Sequence, residues 1–140
     1  MMRGSSFKWL AALALTASLS VGALSPLRIE TTVRWLSDSM REGRASASDG
    51  ADATGDYLME QFLEMGLEAE FQNIDSERRN VIGRLGTSPR HIVIGAHYDG
   101  QGRGFPSASD NAAGVAVMLE LARRAVARPP GVAGGKTRLT

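Results

Sequence analysis

The sequence has no cysteine, which removes disulfides, zinc-thiolate sites, a thiol nucleophile and a lipid-modified cysteine from consideration. Histidine is nearly as scarce, occurring only at His91 and His97. Neither sign of charge prevails: the formal net charge is +1 and the basic residues are scattered, so there is no electrostatic footprint of a nucleic-acid binder. No Asn-x-Ser/Thr acceptor occurs, and no apolar run reaches the ~20 residues that cross a bilayer. The most apolar stretch, residues 9–23, follows Arg3 and Lys8 and ends in the small-x-small triplet Val21-Gly22-Ala23, the pattern of a secretory signal peptide. The expectation is therefore a leader over residues 1–23, no membrane association after its removal, and a single domain over 24–140. Export without disulfides fits a bacterial periplasmic or secreted protein.

The most informative stretch that is present runs from His91 to Gly114. Ile92-Val93-Ile94-Gly95-Ala96 is β-branched, continuous and too short for a free-standing helix, which predicts a strand buried on both faces. His97 stands at its carboxyl end, where open α/β sheets gather their ligands. Side chains alternate along a strand, so His97 and Asp99 project to one side. A carboxylate on one ring nitrogen fixes the tautomer and leaves the other nitrogen for a metal. A glycine-rich loop, Gly100-Gln101-Gly102-Arg103-Gly104, then leads through Pro106-Ser107-Ala108-Ser109-Asp110-Asn111 to a helix. Asp110 lies at that junction, where it can either cap the helix or hold a cation.

Elsewhere, Ser25-Pro26 opens a helix with a serine cap and proline at its first position. Residues 45–50 read as a polar loop, and Glu42 and Arg44 as part of a surface turn. A second helix is expected over residues 53–65, ended by Gly66. Residues 67–74 and 80–85 read as two strands whose short charged connection implies an antiparallel pair. Residues 111–128 read as an amphipathic helix, with Val115, Met118, Ala122 and Ala125 inward and Glu120, Arg123 and Arg124 in water. Gly134-Gly135-Lys136-Thr137 lacks the register of a phosphate loop and reads as a connection to a strand at residues 138–140.

His-x-Asp after an apolar strand, followed by Pro-x-Ala-x-Asp-Asn-Ala-x-Gly-Val-Ala at a helix start, resembles the co-catalytic di-zinc aminopeptidases, such as the secreted bacterial leucyl aminopeptidases. Serine at position 109, where the family commonly has Asp or Asn, is a mild departure. The resemblance implies an α/β fold, a three-layer sandwich around a mixed, mainly parallel sheet, incomplete at its carboxyl end. It implies His97 and Asp110 as metal ligands, Asp110 bridging two zinc ions, with Asp99 supporting His97 in a catalytic role and a cis peptide at Asp110-Asn111. Substrates would be peptides or proteins with a free amino terminus. The general-base glutamate and the family's three further zinc ligands follow later in such enzymes than this chain extends, so the expectation is an amino-terminal part of a zinc peptidase domain. The ligand inventory agrees: a catalytic zinc takes three protein ligands, and six strand residues at ~3.3 Å each keep His91 about 20 Å from His97. Glu120 is a poor third donor, so metal binding is expected to be weak or absent and the chain alone inactive. A glutaminyl cyclase-like zinc enzyme and a non-catalytic binding domain on the same fold are the alternatives.

Overall fold

A computed structural model describes residues 24–87 and 92–127. The expected leader, His91 and the elements anticipated beyond residue 127 lie outside the described residues. The described part is a mixed α and β structure with three α-helices, α1 (Pro26–Leu36), α2 (Asp49–Glu64) and α3 (Ala113–Val126), short 3-10 and π turns at Ser39–Arg44 and Ala108–Ala112, and two strands, β1 (Glu68–Asn73) and β2 (Arg79–Arg84).

Helix α1 begins as its sequence dictates. The Ser25 hydroxyl accepts the Arg28 amide, and Pro26 occupies the first turn, where its missing N–H costs nothing. Helix α2 starts four residues earlier than the apolar spacing indicates. Ser48 is the cap, accepting from the Ala51 amide, and Asp49 and Asp52 favour the positive end of the helix dipole. Gly66 follows the helix with φ +78°, the left-handed stop that glycine tolerates best.

β1 and β2 pair antiparallel in the register Glu68 with Arg84 through Asn73 with Arg79, as the short connection requires. Asp75 organises that connection: its carboxylate accepts the Glu77 and Arg78 amides at 3.0 and 2.8 Å and pairs with the Arg78 side chain. The Arg78 contact and these amides hold the Asp75 carboxyl down at about 2.

Leu36, Leu58, Phe62, Leu67, Ala112, Val115 and Leu119 form one core. Leu36 and Leu119 are completely buried, worth roughly 2 kcal/mol each by area. The Phe62 ring lies against Gly83, where an added Cβ would be 2.9 Å from it.

The structure departs from the sequence reading in three places. Residues 92–96 form no strand, and Ile92 and Val93 are 92% and 90% exposed. Continuous apolar character produces a buried strand only where strands flank it and helices cover it. Among the described residues the pairing nearby is a single parallel bridge, Ala45 with Gly100. Glu120 does not face water but is 1% exposed, beside α1. Arg44 is likewise buried, not part of a surface turn.

Candidate metal-binding site

The loop that follows residues 92–96 and the turn that enters α3 meet at His97. Its Nε2 lies 3.1 Å from Asp110 Oδ1 and its Nδ1 lies 3.1 Å from Asp99 Oδ1. All three side chains are about half exposed or more, so the site opens to solvent. The helix could have claimed Asp110 as a cap, but α3 receives no side-chain cap from it. Asn111 takes over the helix start, its Oδ1 accepting the Gly114 amide at 3.2 Å while its Nδ2 donates to the His97 carbonyl at 3.4 Å. A Cβ at position 114 would fall 2.2 Å from Asn111 Oδ1, so the small residue there is what lets Asn111 reach back. The Asp110-Asn111 peptide is cis.

This arrangement suits a cation in kind. A neutral imidazole carries one N–H, so it can donate to only one of the two carboxylates facing it. The other nitrogen then aims a lone pair at a carboxylate oxygen unless a proton or a metal ion stands between. Two donors on a tetrahedral zinc at 2.0–2.1 Å are about 3.3 Å apart, close to the Nε2 to Oδ1 separation seen here. The donor count falls short, however. Among the described residues no group of three or more potential ligand side chains gathers at one point, and Glu120 is committed to Arg28 and Arg123.

The loops bearing the site are tied to the turn at Glu42-Gly43-Arg44, three successive residues with φ of 49°, 69° and 55°. The Gly100 amide donates to the Arg44 carbonyl at 2.7 Å and the Gly102 amide to the Gly43 carbonyl at 3.1 Å. The Arg44 guanidinium donates to the carbonyls of Tyr98 at 3.0 Å, Pro106 at 3.2 Å, Ser107 at 2.8 Å and, closer still, Leu36. Burial pulls its pKa below the ordinary value, opposed by the Asp99 charge. The Tyr98 hydroxyl donates to the Arg79 carbonyl at 2.5 Å, and burial pushes that phenol upward. Sequence reasoning singled out His97, Asp99 and Asp110 but missed Arg44 and Asn111. The available signal was Gly43 in the connection between α1 and α2, a place where a left-handed turn can bring the neighbouring arginine back under α1.

Residues 80–134 match the profile of Peptidase family M28, and that segment contains His97, Asp99, Asp110 and Asn111. Members of that family are generally zinc-dependent. The chain is also 34% identical over 110 residues to Uncharacterized protein YfbL of Escherichia coli (strain K12), an alignment covering 71% of this chain and 34% of the relative. The chain thus spans about a third of the length of that relative. No solved structure matches it significantly.

Proposed function

We propose that the chain carries one part of the metal centre of a secreted, zinc-dependent aminopeptidase of the leucyl aminopeptidase type. The observation that carries this reading is the approach of His97 Nε2 to Asp110 Oδ1 at 3.1 Å, with Asp99 behind the second ring nitrogen. The fold proposed for such an enzyme is a three-layer α/β sandwich around a mixed, mainly parallel sheet. Bound zinc would polarise the scissile carbonyl and acidify a water molecule. His97 and Asp110 would hold it, and Asp99, accepting the Nδ1–H, would keep the ring turned so that the Nε2 lone pair faces outward. The exposure of all three side chains leaves room for a peptide amino terminus beside them. The run Ala112-Ala113-Gly114-Val115-Ala116 after Asp110-Asn111 favours this reading over a glutaminyl cyclase-like enzyme.

Zinc and cobalt titration of the full chain, with a leucyl chromogenic substrate assayed in parallel, tests it. The expected result is weak metal binding that His97→Ala and Asp110→Asn abolish and that Asp99→Ala weakens by about 10–100-fold, without measurable turnover by these residues alone. Equal affinity in the chain and in His97→Ala would remove the site. Turnover that His97→Ala abolishes would overturn the inactivity.

A further inference from the structure

We infer that Arg44 is the positioning residue of the His97–Asp110 pair, setting the approach of the two side chains by holding the backbone on both sides of it. The inference rests on the reading that this pair grips a cation, but its geometric part stands apart from any metal.

Arg44 is 1% exposed, and each hydrogen bond of its guanidinium ends on a main-chain carbonyl, none on a carboxylate. A buried cation with no carboxylate hydrogen-bonded to it is costly to place, so a position that keeps one has a geometric reason for it. The four carbonyls supply that reason. Tyr98 lies between His97 and Asp99, so the bond to its carbonyl fixes the segment from which the imidazole projects. Pro106 and Ser107 lie just before Asp110, and the Ser107 carbonyl also accepts the Ala112 amide at 3.2 Å. One oxygen thereby joins Arg44 to the turn that carries Asp110. The Leu36 carbonyl belongs to the last turn of α1, one of the acceptors a helix end leaves without an internal partner, and it anchors the assembly to a fully buried residue.

Arginine suits this task where lysine does not. Its planar fork presents five N–H groups in fixed directions, whereas an ammonium on a flexible stem is a point donor. The main chain at the same residue reinforces the effect through the Gly100 amide bond to the Arg44 carbonyl. His97 and Asp110, by contrast, are 55% and 67% exposed, and little packing holds them. Their separation follows from where the two loops are pinned, and both pins meet at Arg44.

The test uses the full chain, metal-free and with cobalt(II). In metal-free protein, nuclear Overhauser contacts between the His97 ring protons and the Asp110 methylene protons report the approach directly. Arg44→Lys is expected to lose those contacts while keeping those within the core, such as Leu36 to Val115, and to weaken cobalt(II) binding with an altered visible d–d spectrum. The affinity loss should be about 10–100-fold, as for other outer supports of a metal ligand. Phe62→Leu, which loosens the core beneath Gly83, is expected to lower the melting temperature but leave the contacts and the spectrum unchanged. Retention of the contacts in Arg44→Lys, or their equal loss in Phe62→Leu, overturns the proposal. Should Arg44→Lys not fold, Arg44→Ala is refolded with millimolar methylguanidinium. Recovery of the contacts on adding it supports the proposal, and failure to recover either fold or contacts overturns it. Native contacts without any cobalt(II) binding would defeat the cation reading and leave the Arg44 comparison standing.

Discussion

Replacing Glu120 by alanine is expected to lower the unfolding free energy by about 3 kcal/mol, the lower end of what breaking a buried ion pair costs. Glu120 is 1% exposed and accepts from Arg28 Nε at 2.6 Å, Arg28 Nη2 at 3.0 Å, Arg123 Nη1 at 3.2 Å and the Ser25 amide at 3.1 Å. The lower end applies because Arg28, half exposed, can return to water once its partner is gone. Urea titration of the wild type and the variant measures the difference. An effect below ~1 kcal/mol would mean that the α1–α3 contact does not depend on the carboxylate.

The same group predicts a dependence on pH. The Arg28 hydrogen bond, aided by the Ser25 amide and the charges of both arginines, depresses the Glu120 carboxyl from 4.5 to about 2. A carboxyl whose pKa is lower in the folded state contributes stability that is complete above its unfolded value and is lost as the proton binds. The contribution is therefore full above pH 4.5 and falls away between there and about pH 2. In Glu120→Ala that part of the acid decline should disappear, which urea midpoints taken across this interval will show.

Gly43→Ala is the second large effect. A Cβ there would lie 1.8 Å from the Gly102 carbonyl oxygen and 2.6 Å from that of Phe105, on a residue with φ +69°. Both obstacles are main chain, so no side chain can swing aside. Left-handed strain of ~1–2 kcal/mol adds to ~1–3 kcal/mol of overpacking, giving an expected destabilisation of about 3 kcal/mol. Displacement of residues 100–107 should also break the His97–Asp110 contacts seen by NMR. Gly66→Ala is the control: φ is +78° but nothing lies within 4 Å of the added carbon, so about 1 kcal/mol of backbone strain is all that is expected.

The elements that rest on local signals were legible in the sequence. The Ser25-Pro26 start, the Gly66 stop and the antiparallel pairing of β1 with β2 each depend on residues close together in the chain. So were the neighbours at the site, since His97 and Asp99 are two apart and Asp110 lies at the entry to a helix. What escaped were outcomes decided by partners distant in sequence. Residues 92–96 have the composition of an inner strand, yet burial needs neighbours that composition does not supply. Glu120 and Arg44 look like surface residues because their types usually are. The Arg28 side chain and four main-chain carbonyls, all far from them in sequence or silent in it, draw them inside.

The pairing of α1 with α3 has a consequence for the order in which the fold assembles. Arg28 and Glu120 are 92 residues apart, whereas β1 and β2 close through a turn of a few residues. Closing a long loop is entropically slower than closing a short one, so the hairpin and α2 can collapse together before Arg28 meets Glu120. During synthesis from the amino terminus, α1 emerges before α3, so Arg28 has no Glu120 carboxylate to meet until that residue has left the ribosome.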